Sequence, residues 1–127
     1  MKKRIIATDA APSSALFSQG VRVGSTIYVS GTAGIDVATK QLAGTTIQEQ
    51  TRQALRNCKA IVEAGGGTLE DVVQVIVLLA NPADFAGMNE EYAKVFPREP
   101  PARAVTKLGV ELPNLLVSIM MTAHVAG

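Results

Sequence analysis

Between Thr46 and Gly65 the apolar positions repeat with a helical period. Ile47, Thr51, Ala54, Leu55, Cys58, Ile61 and Val62 fall on one face, with Gln48, Arg52, Arg56, Lys59 and Glu63 on the other. Thr46 with Glu49 three places later forms a capping-box pattern, and Gly65-Gly66-Gly67 stops the repeat. This predicts an amphipathic helix lying on a sheet. Before it, residues 3–7 and 17–23 read as two strands, and Thr26–Ser30 as a third. A two-residue Gly24-Ser25 break makes the second and third a hairpin. Gly31-Thr32-Ala33-Gly34 is expected to end the third strand. It is not a phosphate loop, because no Gly-Lys-Ser/Thr follows.

After the helix, 71–79 reads as a strand with an apolar centre, Val75 to Leu79. Asn81-Pro82 opens a second helix, an N-cap followed by proline, with Phe85, Met88, Tyr92 and Val95 or Phe96 as its buried stripe. Pro97, Pro100 and Pro101 forbid its continuation. Residues 102–107 and 115–125 are the last two strands, joined through a turn at Leu112-Pro113-Asn114. The final strand reads as apolar on both faces. Two helices cover only one face of a sheet, so the other is expected to meet a second copy of the chain. The element order gives an α+β sandwich, and nothing divides residues 1–127 into more than one domain.

Composition narrows the function classes. The net charge is +1, no basic cluster occurs beyond Lys2-Lys3-Arg4, and there is no Trp, which argues against nucleic acid as a partner. The apolar start at Ile5-Ile6 ends at Thr8-Asp9, short of a signal sequence, and no run is long enough to span a bilayer. A single cysteine, Cys58, rules out an internal disulfide and fits a reducing, cytoplasmic compartment. Its place on the helix's apolar face reads as core packing. With one Cys and one His, a zinc site built by this chain alone is not expected.

The most informative single residue is Arg103, in Pro101-Ala102-Arg103-Ala104-Val105. Its strand reads as the start of a buried one. A guanidinium stays charged, so in apolar surroundings it needs a planar acceptor, typically a carboxylate. Neither strand neighbour, 101 or 105, is acidic. Either Arg103 reaches solvent or a distant partner, or the missing carboxylate belongs to a ligand.

A set of features resembles the reactive-intermediate deaminase (RidA-like, YjgF-type) family. They are Gln19-Gly20 after an aromatic, Tyr28-Val29-Ser30-Gly31, the helix ending Ala60-Ile61-Val62-Glu63-Ala64-Gly65-Gly66, and Asp71-Val72-Val73. Phe85-Ala86-Gly87-Met88-Asn89 with Tyr92 and Phe96, then Pro101-Ala102-Arg103, complete the set. The resemblance runs from about residue 5 to the C-terminus. It implies a chorismate-mutase-like (bacillary type) fold: a six-stranded mixed sheet with two helices on one face, and three sheets closing a trimeric barrel. It also implies a cleft at each subunit interface of a homotrimer. Family members bind small 2-oxo acids, imines or enamines through the arginine matching Arg103. Several hydrolyse enamines or imines to the oxo acid and ammonia, without metal or organic cofactor.

By the same resemblance Phe17, Ser30, Gly31, Asn89, the main-chain carbonyl of Val105 and Met120 line the cleft with Arg103. An arginine fork grips a carboxylate at two points and fixes its plane, and a glycine lets a ligand approach the main chain. The residues alone also allow a solvated Asn89, a strand-end Ser30 and a turn at Gly31. Two positions depart from the family pattern. Phe17 stands for a tyrosine, and Met120 for a glutamate that handles water and protons, with Ser118 one place earlier on the same face. Neither Met120 nor Ser118 acts as a general base near neutral pH without an activating partner. His124 lies four strand residues from Met120, about 13 Å away, too far to replace it within one subunit. Related deaminases of aminoacrylate in pyrimidine-ring breakdown resemble the chain at Phe17 and Ala123-His124, so the missing glutamate does not exclude activity. Two functions are expected to compete: deamination of a small carboxylated enamine or imine (2-aminoacrylate or 3-aminoacrylate type), and non-catalytic binding of small 2-oxo acids in the same cleft.

Overall fold

A computed structural model of the protein describes residues 2–126. One six-stranded sheet runs through it. In chain order the strands are β1 (Arg4–Ile6), β2 (Gly20–Val23), β3 (Thr26–Ala33), β6 (Val72–Leu79), β7 (Ala102–Lys107) and β8 (Val117–His124). A small hairpin, β4 (Ile35–Asp36) with β5 (Gln41–Leu42), stands beside it. The helices are α1 (Ile47–Ala64) and α2 (Phe85–Val95). The strand order is β1-β2-β3-β8-β6-β7, antiparallel except for the parallel β6–β7 pair at the edge. α2 fills the crossover that this parallel pair requires.

α1 forms where its pattern places it. Thr46 accepts from Glu49 N–H, the Glu49 carboxylate accepts from Thr46 N–H, and all seven apolar-stripe residues are buried. Two amides share that face. Gln50 donates to the carbonyls of Gly44 and Asn114 and accepts from Leu116 N–H, while Asn57 donates to the carbonyls of Ala33 and Ile35. Each ties irregular backbone to the helix and meets the hydrogen-bonding needs of its own buried amide. Gly34 lies against α1 so closely that a Cβ would collide with the Gln50 main chain.

Several boundaries differ from expectation. β2 begins at Gly20, not 17, and just before it the Gln19 side chain holds the preceding loop: Nε2 donates to the carbonyls of Thr8, Ala11 and Pro12, and Oε1 accepts from Thr8 N–H. β3 does not stop at Ser30. It passes through a bulge and continues to Ala33, since Thr32 and Ala33 still pair with Ile119 and Ser118. At the second helix, Asn81 caps a 3-10 turn over Pro82–Asp84, and the α-helix starts at Phe85. Of its expected stripe Met88 and Tyr92 are buried, whereas Phe85 is 46% exposed. The strand holding Arg103 is an exposed edge strand rather than a buried one, since it pairs only with β6.

The final strand alternates. Val117, Ile119, Met121 and Ala123 are buried against the helices, while Ser118, Met120, Thr122 and His124 face the other way. Its second face is therefore mixed rather than apolar. Tyr28, Ile76 and Leu78 pair opposite Thr122, Met120 and Ser118, and together with Met120 they form the apolar part of an uncovered sheet face.

Candidate functional site

The expected site residues fall into two groups in a single chain. The first is built on β7 and α2. Arg103 lies opposite Val75, whose side chain is fully buried under the helices, so Arg103 points to the helix side. There it meets α2: Nη1 donates to Asn89 Oδ1 at 2.7 Å. The guanidinium carbon stands 4.6 Å from the Tyr92 ring centroid and 5.8 Å from that of Phe85. Among the described residues the ion pairs are Arg52–Glu91, Lys59–Glu63 and Lys94–Glu91, so Arg103 meets an amide and two rings but no carboxylate.

The edge geometry exposes main-chain groups as well. Leu108 N–H donates to Leu79 O, which puts the even-numbered residues of β7 in the ladder with β6. The backbone groups of Arg103 and Val105 then face the open edge. The Val105 carbonyl is thus unpaired among the described residues, along the same open edge as the Arg103 main chain.

The second group surrounds the bulge in β3. Val29 pairs with Met121 and Thr32 with Ile119, so Ser30 and Gly31 together oppose Met120. Ser30 N–H donates to Gln19 O at 3.0 Å and its hydroxyl donates to Ser18 O at 2.5 Å, which ties the bulge to the segment carrying Phe17. Phe17 is 52% exposed and Gly31 is also exposed. A Cβ on Gly31 would sit 3.1 Å from Ser118 Oγ, so glycine keeps this wall open.

One chain does not bring the two groups together. Arg103, Val75, Met121 and Val29 form a row across four strands, about 14 Å from end to end at the usual strand spacing. Arg103 also faces the helix side, whereas Met120 lies opposite Ile76 on the uncovered side. A cleft of about 880 Å³ in the single chain, lined by Glu70, Val95, Phe96, Arg98, Glu99 and Pro101 among others, contains none of the expected site residues.

Sequence reasoning missed the aromatic neighbours of Arg103, because Phe85 and Tyr92 read as core. The available signal was spacing: 85, 89 and 92 share one face of a helix. Cys58 takes no part. It is fully buried, its thiol is pushed up to about 12 by burial, and it donates to Ile119 O at 3.5 Å. Among the described residues no group of three or more His, Cys, Asp or Glu is arranged to hold a metal ion, and no helix is long and apolar enough to cross a membrane.

The family model described as Endoribonuclease L-PSP matches residues 8–125. The chain belongs to this family, the RidA-like proteins. It is 40% identical over 123 residues to a RutC family protein of Saccharolobus solfataricus, covering 96% of this chain and 98% of the relative. It is 39% identical over 113 residues to a 2-iminobutanoate/2-iminopropanoate deaminase of Dermatophagoides farinae, covering 88% of each. The crystal structure of RidA from an Antarctic Psychrobacter superposes with a TM-score of 0.90 at 36% identity, over 96% of this chain and 99% of that one. The RidA-like architecture, two helices on one face of a six-stranded mixed sheet, is thereby established for this chain.

Proposed function

We propose that this RidA-like protein hydrolyses small carboxylated imines or enamines, of the 2-aminoacrylate or 3-aminoacrylate type, to oxo acids and ammonia. An enamine reaches the imine by moving a proton to carbon. Water then adds to the imine carbon, the carbon–nitrogen bond breaks, and the nitrogen leaves as ammonia. The observation that carries this reading is Arg103, a guanidinium held at an open sheet edge by an amide and two rings and left without a carboxylate among the described residues. A ligand carboxylate supplies the partner, and the Val105 carbonyl on the same strand edge accepts a hydrogen bond from the substrate's N–H. Imine deaminase relatives support the chemistry.

The other wall of the site comes from a neighbouring copy. Phe17, Ser30, Gly31 and Met120 of one subunit meet the β7 edge and Asn89 of the next, and three copies close the ring with the uncovered sheet faces inward. The reaction runs in the cytoplasm and draws on no cofactor. The endoribonuclease in the family description is not carried over, since a net charge of +1 offers RNA little attraction. A second reading is favoured by Met120. An apolar side chain at the position of the family's glutamate suits non-catalytic binding of 2-oxo acids in the same cleft.

One assay separates the two. Ammonia release from freshly generated 2-aminoacrylate is expected to exceed the spontaneous rate, because positioning alone accelerates a substrate that already reacts with water. Release at the spontaneous rate, with 2-oxobutyrate still binding, would leave only the binder.

A further inference from the structure

α2 carries more of the site than the asparagine that the resemblance assigns. Phe85, Asn89 and Tyr92 stand at i, i+4 and i+7, on one face of the helix, and all three contact the guanidinium of Arg103. The amide takes one N–H at 2.7 Å, and the Tyr92 ring lies 4.6 Å from the guanidinium carbon. Arg103 is exposed on an edge strand, where a long side chain would otherwise sample many rotamers. Something must therefore hold its plane before a ligand arrives.

Tyr92 is itself unusual. Only 7% of its surface is exposed, yet its hydroxyl is buried without a hydrogen-bond partner among the described residues. Its ring also packs on Phe96, with centroids 5.0 Å apart. A phenylalanine would fill the same space without leaving a polar atom unsatisfied, so the ring rather than the hydroxyl is the working part. We infer that Phe85 and Tyr92 are positioning residues: their rings clasp the Arg103 guanidinium so that its free N–H groups present a fixed plane to a ligand carboxylate. This rests on the reading of Arg103 given above and adds what aims it. A cation over an aromatic face is attracted by the ring's negative quadrupole, and a preset plane reduces the ordering cost of binding.

The test is calorimetric titration of 2-oxobutyrate into wild type, Tyr92→Phe, Tyr92→Leu, Phe85→Leu and Arg103→Ala. Arg103→Ala is expected to abolish measurable binding. Tyr92→Leu and Phe85→Leu are each expected to weaken it about 3- to 30-fold, the range for losing a cation–ring contact. Tyr92→Phe should bind within about twofold of wild type, because its ring is intact. This conservative rescue is the readout that a general packing defect would not give. If Tyr92→Leu fails to fold, the half-exposed Phe85 carries the test alone. Loss in Arg103→Ala with wild-type affinity in Phe85→Leu and in any folded Tyr92→Leu overturns the clasp and leaves the carboxylate reading intact. A Tyr92→Phe defect as large as that of Tyr92→Leu assigns the role to the hydroxyl and also overturns it. Wild-type affinity in Arg103→Ala overturns the reading of Arg103 itself.

Discussion

At the scale of single residues, Met120 is the position where the resemblance places a glutamate in other deaminases. It lies opposite the Ser30–Gly31 bulge and is 37% exposed on the uncovered sheet face. A thioether cannot take a proton from water there. Met120→Glu is expected to raise ammonia release from 2-aminoacrylate while 2-oxobutyrate still binds through Arg103. General acid–base groups contribute about 10²- to 10⁴-fold, so even an imperfectly placed carboxylate should give about a tenfold increase. Steady-state ammonia assays and titrations on the same preparation check it. Slower turnover with unchanged binding would place proton handling elsewhere. The sequence shows Arg103 as a charge needing a partner, and its strand range of 102–107 is also the observed one. It does not show that the strand is an exposed edge, because the apolar spacing of an edge and a central strand is the same.

Between elements, the two helices are clasped through Glu91. This carboxylate is 4% exposed on α2 and meets Arg52 Nε of α1 at 2.9 Å and Lys94 Nζ at 2.8 Å. Its pKa is held below the usual 4.5, first by the Arg52 hydrogen bond and then by that from Lys94, with burial opposing. A carboxyl whose folded pKa is lowered adds stability that is fully present above its unfolded pKa. That part is lost as pH falls from about 4.5 through the folded value. Glu91→Gln is expected to cost about 1–3 kcal/mol at neutral pH, as for a hydrogen bond to a charged group, and to flatten the acid limb of the stability profile. Melting temperatures from pH 7 down to pH 3 check it, and parallel profiles for wild type and variant would refute it. The capping box and glycine stop made α1 legible to the residue. Gln50, Asn57 and Glu91 were not legible as buried, because their partners lie far away in sequence and only packing brings them close.

For the whole molecule, the uncovered sheet face sets the expectation of a trimer. Tyr28 is 53% exposed and stands with Ile76, Leu78 and Met120 on a face that no helix covers. A monomer would leave this apolar group in water, in the kind of contiguous patch that marks an interface. Sedimentation equilibrium is expected to give three times the chain mass of 13.3 kDa at micromolar concentration. A stable 13.3 kDa species would remove both the trimer and the shared cleft.

The sequence by itself determined both helices and the six strands of the main sheet, since capping, proline stops and apolar period act over a few residues, but it did not show the β4–β5 hairpin and it read the final strand as apolar on both faces. It also singled out Arg103, because an uncompensated charge stands out in an apolar run whatever the fold. Tertiary structure decided the rest. Strand order put β7 at the edge and set Arg103 and Met120 on opposite sides of one sheet. Pairing across the β3–β8 bulge brought Ser30 and Gly31 opposite Met120. The α2 crossover laid Phe85, Asn89 and Tyr92 against the guanidinium. Such contacts join residues far apart along the chain, and local pattern carries no information about which distant strand becomes a neighbour.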